Sequence, residues 1–290
     1  MSTYWPDFND LWDYTNPEAT EKVFRQRLSE AAASGGESAQ GSEYSLQLKT
    51  QIGRTLGMQQ KFDEAQAILD EVEGAMMGED IVEVRYLLER GRTLTSSKKA
   101  AEGMPLFLRS YEIADKIGAD FYAVDALHML GIAAESAEER REWNLKAIAY
   151  AEDSEDEKAN GWLASLYNNT AWGLFDEEKY EAALDLFQRA LVLREERGDQ
   201  HTIDIARWCV AKTLRVMGRV DEALAILREL EAEGKEDGFT EEEIAECLLA
   251  LGETEAAQFY FKQAYALLSE IYWVVEDTER MGRIKRLAGM

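Results

Sequence analysis

Ser96 to Lys99 reads SSKK, which satisfies the S-x-x-K spacing in which a lysine amine can activate a serine hydroxyl. The four residues fall in a polar turn between two helical patterns, where such a match arises by chance. Two histidines, His128 and His201, are the whole supply of imidazole for general acid–base work in 290 residues. No phosphate-binding glycine loop, dinucleotide fingerprint, HExxH zinc motif or GxSxG elbow occurs. Cys209 and Cys247 form no CxxC and have no histidine at ligand spacing, so they read as reduced, partly buried thiols. Asn168 to Thr170 matches a glycosylation sequon, but inside a helical pattern, where it is expected to go unused. No catalytic residue, metal site or cofactor is assigned from these patterns. The expectation is a protein that is not an enzyme, with an unrecognised catalytic site as the remote alternative.

Spacing carries more information than side-chain chemistry. Gly53, Gly91, Gly131, Ala171, Ala211 and Ala245 lie 38, 40, 40, 40 and 34 residues apart, and each sits in the first of two amphipathic helical patterns. With three Pro in the chain and abundant Ala, Leu and Glu, helix is favoured throughout. Asn16, Pro17 and Glu18 make a helix start, and the pattern predicts a helix from Pro17 to Ala33. Ser34 to Ser42 (SGGESAQGS) then reads as a loop. The aromatic segment Tyr4 to Tyr14 is expected to fold back on that helix, since Trp5, Phe8, Leu11 and Trp12 would otherwise face water.

Charge limits the class of partner. A net charge of -25 argues against sequence-independent binding to nucleic acid, which requires a basic surface. The acidic runs Glu152 to Glu157 and Glu241 to Glu243 read as solvated carboxylates at helix ends. The opening MSTYWPDFNDLWDY has acids where a signal peptide would be basic, and no apolar stretch reaches membrane-spanning length. No membrane partner and a cytoplasmic location are therefore expected.

The fourth unit, Leu166 to Asp199, is the clearest. Tyr167, Ala171, Leu174 and Tyr180 are followed by Ala183, Phe187 and Ala190, an A-x-x-x-F-x-x-A string. This order of large, small, large, aromatic and string resembles the tetratricopeptide repeat. The first, fifth and sixth units match well, through Gly53, Leu56, Phe62, Ala65 and Leu69, through Ala211, Leu214, Gly218, Ala223 and Leu227, and through Leu248, Gly252, Ala257, Phe261 and Ala264. The second has Gly103 where Ala is usual and Pro105 early in its second helix. The third is about three residues short around Ser136 to Glu139. The resemblance implies an all-α fold, a right-handed α-solenoid of about six tetratricopeptide-like helix pairs with N- and C-terminal capping helices. Its parts are residues 1–42 as an N-terminal capping segment and helix, 43–275 as repeats of a variant with about 40-residue spacing, and 276–290 as a C-terminal cap, the whole read as one domain. The extra residues imply longer helices or longer inter-repeat loops, with the loops near Asp115 to Asp120, Ala151 to Glu157 and Arg197 to Gln200 their expected home.

In this family the first helices line a concave surface, and positions three before and one after the small residue point into it. Here those positions, with Arg85 and Arg215 beside them, give Arg54, Arg85, Leu88, Arg92, His128, Asn168, Trp172, Trp208, Lys212 and Arg215 as a peptide-binding groove. Cations and tryptophans together suit a peptide or protein segment with acidic residues and an apolar anchor. The resemblance thus implies a protein–protein interaction scaffold or adaptor; the alternative is a peptide-responsive sensor that changes superhelix pitch. The structural alternative for the same residues is that the cations cover apolar helix surface or pair with neighbouring carboxylates, and that Trp172 and Trp208 are packing residues.

Overall fold

A computed structural model describes residues 8–33, 39–78, 80–234 and 237–290. Among these residues the regular elements are all helical. A 3-10 turn, Phe8–Leu11, precedes α1 (Pro17–Ala33), α2 (Ala39–Met58), α3 (Phe62–Glu73), α4 (Ile81–Ser96), α5 (Ala100–Lys116), α6 (Asp120–Ala133), α7 (Ala137–Asp153) and α8 (Glu157–Asn160). Then come α9 (Leu163–Asp176), α10 (Tyr180–Arg197), α11 (Gln200–Val216), α12 (Val220–Ala232), α13 (Gly238–Ala250), α14 (Thr254–Leu268), α15 (Tyr272–Val275) and α16 (Thr278–Leu287). The packing divides the chain into two compact units, residues 1–162 and 163–290. In the first, α2/α3, α4/α5 and α6/α7 are antiparallel pairs with α1 laid against α2 and α8 against α6. In the second, α9/α10, α11/α12 and α13/α14 are the pairs, and α16 closes on α14.

One contact recurs inside the pairs. The small residue of the first helix faces a large apolar residue sixteen positions later on the second: Gly53 with Leu69, Gly91 with Phe107, and by the same spacing Ala171 with Phe187, Ala211 with Leu227 and Ala245 with Phe261. All five large residues are fully buried. A Cβ on Gly91 would stand 2.5 Å from the Phe107 ring, so glycine is what allows the two helices to approach that closely. Small residues twelve positions on, Ala65, Ala183, Ala223 and Ala257, are buried at the same crossing.

A tight reversal sets that distance. Seven residues after the small position the backbone turns left-handed, at Gln60 (φ 61°), Lys98 (φ 65°), Glu178 (φ 59°), Gly218 (φ 80°) and Gly252 (φ 81°). The amide of the next residue then donates back to the first helix: Lys61 to Leu56, Lys99 to Leu94, Lys179 to Leu174, Arg219 to Leu214 and Glu253 to Leu248, each at 2.9 Å. This is the helix C-cap in which a left-handed residue satisfies otherwise orphaned carbonyls.

The third pair solves the problem differently. Ala134 is extended (ψ 135°), and Ser136 caps α7 by accepting from the Glu139 amide at 3.1 Å. The turn is three residues shorter, so Asn144, thirteen positions after Gly131, takes the place of the large apolar residue; its Oδ1 lies 2.5 Å from where a Gly131 Cβ would be.

Two sequence expectations are revised. The helix α2 begins at Ala39, so residues 39–42 are helical where a loop was expected, and 34–38 lie outside the described residues. Each residue added to a helix end contributes a further backbone hydrogen bond, which favours extension through Ala and Gln. The residues beyond a 34-residue period sit largely in long second helices, 17, 17 and 18 residues in α5, α7 and α10. The connections at 117–119 and 198–199 are short, and the one after α7 is largely taken up by α8.

Because a β-carbon in the left-handed region costs roughly 1–2 kcal/mol, Glu178→Gly is expected to raise stability by about 1 kcal/mol and Gly218→Ala to lower it by a similar amount. Urea unfolding of the two variants against the parent checks both signs.

Candidate functional site

In the first unit the expected groove cations form a ladder between successive first helices. Arg54 of α2 reaches Glu89 of α4 at 3.7 Å, Arg92 of α4 also pairs with Glu89 at 2.7 Å, and Arg92 bonds onward to Asp125 of α6. Both carboxylates are buried. Arg85 is buried as well, donating to the Tyr122 hydroxyl and lying 4.9 Å from that ring. Leu88 is 1% exposed and belongs to the core, so it presents no surface to a ligand. His128 packs against Trp162 at 5.2 Å, and its Nδ1 has no hydrogen-bond partner among the described residues. Burial pushes its pKa below the ordinary histidine value, with Asp125 opposing and Arg92 reinforcing the shift.

The second unit repeats the arrangement. Lys212 and Arg215 of α11 each bond to one oxygen of Glu243 on α13, both at 2.6 Å. Glu243 is almost wholly buried, and Glu241 and Glu242 are buried too. The reading of this acidic run as solvated is therefore corrected: α13 is covered on several sides, and its Glu242 and Glu243 are buried against cations. Glu242 takes Arg280 of α16, Nε at 3.1 Å from both oxygens, and Glu246 takes Arg283, Nη2 at 2.9 Å. The basic residues near the C-terminus thus meet the last repeat.

Beside that ladder runs a line of rings. Trp172 lies 6.1 Å from Trp208, Trp208 lies 6.1 Å from Phe239, and Phe239 stacks on Trp273 at 5.6 Å. The Trp208 indole is fixed by donating to the Phe239 carbonyl at 3.1 Å, with Lys212 over its ring at 5.0 Å. Trp208, Phe239 and Trp273, with Lys212, border an open pocket of about 690 Å³, completed by His201, Asp204, Ile205, Leu230, Asp237, Thr240 and Arg280. Asp237 is held as the N-cap of α13, accepting from the Phe239 and Thr240 amides. Trp273 is 62% exposed. Trp172 is half-buried against Phe175 and Phe187, and Asn168 accepts a weak contact from the Cys209 thiol at 3.9 Å. Burial pushes both thiols, Cys209 and Cys247, up to about 12.

The expected site residues thus separate. Trp208 and Lys212 line the pocket, Arg54 and Arg92 line a smaller hollow of about 300 Å³ in the first unit, and the other six line neither. Among the described residues no group of three His, Cys, Asp or Glu could hold a metal ion, and no helix is long and apolar enough to cross a membrane.

A family model for the tetratricopeptide repeat matches residues 163–197, the α9/α10 pair. The apo form of RapI superposes with a TM-score of 0.75 at 14% identity, over 97% of this chain and 80% of that one. A tetratricopeptide repeat protein from Parabacteroides merdae gives 0.51 at 15% identity, over 98% and 96%. The α9/α10 pair is thus matched as a tetratricopeptide repeat, and the chain has the fold of the tetratricopeptide-repeat structures. The STAND signal-transduction ATPase PH0952 from Pyrococcus horikoshii, described as having a tetratricopeptide repeat sensor, gives 0.70 at 13% identity; the match covers 91% of this chain and 41% of that one. No curated protein matches the chain in sequence.

Within the tetratricopeptide register, the pocket residues missed from sequence have a simple address. Phe239 and Ile205 lie six before their small residues, one helical turn beyond the position of Trp208, and Arg85 occupies the same place in the second repeat. Carrying the face one turn further in every repeat would have found them. Trp273 and Arg280 follow the last repeat and carry no register.

Burial alone would raise the carboxyl of Glu243, but Lys212 and Arg215 outweigh it and hold it below the ordinary glutamate value of 4.5. Its contribution is therefore complete above that pH and lost as pH falls through the lower folded value. Glu243→Ala, which strands two partly buried cations, is expected to cost about 3 kcal/mol at pH 7. The deficit against the parent should shrink on acidification below pH 4.5, which denaturant unfolding at a series of pH values checks.

Proposed function

We propose that the chain is a non-enzymatic interaction scaffold and that a partner's polypeptide segment anchors in the pocket of the second unit. The observation that carries this reading is the exposed Trp273 stacked on Phe239, both lining with Trp208 a pocket of about 690 Å³. Large rings already held in place by a carbonyl bond or a stack lose little freedom on binding, and such residues carry most of the energy of a protein interface.

The reading shifts weight from charge to apolar contact. Lys212 and Arg280 already meet Glu243 and Glu242, so a carboxylate on the ligand has to compete with partners supplied by the fold. An apolar or aromatic anchor side chain meets no such competition.

The purified chain and Trp273→Ala, used as baits in a lysate of the native host, test it. A partner captured by the parent and lost or held at least tenfold more weakly by the variant supports the pocket, the loss expected of an interface anchor being about 2 kcal/mol. Equal capture by both places the contact elsewhere. A scattering profile of the parent unchanged by the captured partner's segment favours a scaffold over a sensor that changes pitch.

A further inference from the structure

The first-helix face of the first unit is already occupied, by the chain's own residues 8–14. Phe8 stacks on Tyr44 of α2 at 5.0 Å and sits under the guanidinium of Arg85 at 4.3 Å. The Trp12 indole donates to Gln51 of α2 at 3.0 Å, and the Arg54 guanidinium lies over both Trp12 and Tyr14, at 5.2 and 5.4 Å. Tyr14 in turn stacks on Trp12 at 4.8 Å. Two of the residues the sequence assigns to the ligand groove, Arg54 and Arg85, are thus engaged by an aromatic segment of the same molecule.

Phe8 joins a small apolar cluster with Phe24, Tyr44 and Leu48, and Trp12 packs at its edge, but much of the surface beneath the segment is polar. Arg54, Arg85 and Gln51 are groups that hydrate readily, and Arg85 Nε is buried without a hydrogen-bond partner among the described residues. Withdrawing the segment opens the edge of that cluster but returns two guanidiniums and an amide to water, which offsets part of the loss. The segment also leaves room. Tyr14, 53% exposed, stands at the edge of the hollow of about 300 Å³, whose other walls include Met58, Met129 and Ile132. A longer occupant would reach apolar surface that residues 8–14 do not use.

We propose that this face, formed by α2, α4 and α6, is a second docking surface, for a partner's polypeptide segment bearing aromatic residues four apart, and that Phe8 to Tyr14 is a tethered competitor that keeps it closed. The segment's own spacing, Phe8 and Trp12, states the chemistry recognised: rings under guanidiniums and an indole N–H on the Gln51 amide. Tethering gives the internal segment an effective concentration on the order of millimolar, so an external segment binds weakly to the parent and tightly once the tether is loosened. The surface is separate from the pocket around Trp273 and does not rest on it.

The test uses the full chain and a fluorescein-labelled peptide of residues 5–15, followed by anisotropy. Phe8→Ala/Trp12→Ala vacates the face, and Thr20→Val loosens the tether without touching the face, because Thr20 Oγ1 is what bonds the Asp13 amide and carbonyl. Both variants are expected to bind the peptide at least tenfold more tightly than the parent. Adding Arg54→Glu should abolish the gain, and adding Trp273→Ala should leave it intact. Variants with parent-like helical circular dichroism that bind no better than the parent overturn the proposal. So does collapse of the fold in Phe8→Ala/Trp12→Ala together with no gain in Thr20→Val, which would make the segment a core element.

Discussion

The close approach of two helices at one small residue is the constraint from which the rest of this structure follows. Where Gly91 meets Phe107 there is no space for even a methyl group, and in the second unit the same sixteen-residue spacing sets Ala171 against Phe187 with only a methyl between them. A contact that close fixes the rotation of both helices about their axes. It also fixes which residues remain for the outer faces: the positions opposite the contact become available to neighbouring first helices, and these are the positions that carry charge and aromatic rings.

Those faces join repeats as much as they offer themselves to ligands. Buried Glu89, Asp125 and Glu243 each receive a cation from the preceding first helix, so part of a strongly acidic composition is turned inward and neutralised at the seams. Pairs of this kind are costly to desolvate and are tolerated only when well bonded. Their value here is orientation: an apolar seam could slide, whereas a guanidinium aimed at a particular oxygen fixes one register between helices.

The repeat itself was legible because it is written redundantly. Small, large and turn residues return at fixed offsets in five of the six pairs, and even the shortened third turn shows as a three-residue deficit around Ser136. The assignment of site residues was less legible, because the positions three before and one after the small residue can face a groove or a neighbouring helix, and the choice depends on whether a carboxylate lies one repeat further on. Glu89 and Glu243, two before Gly91 and Ala245, were that signal. Residues outside the register, Trp273 and Arg280 after the last repeat and Phe8 to Tyr14 before the first, reach their positions through tertiary packing alone, and no periodicity points to them.

The third turn has a consequence for how such a chain can change length. A deficit of three residues shifts the second helix by about 300° of helical phase, which is about 60° from a full rotation. Asn144 can therefore arrive close to the place that Phe107 holds in the pair before it, and Ala147 and Ala151 still point inward. Insertions or losses near one helical turn that fall in these reversals leave the apolar stripe almost in phase, whereas a change of one or two residues would rotate it toward solvent. The reversals are where an array of this kind can absorb gene-level additions and deletions while its neighbouring pairs keep their alignment.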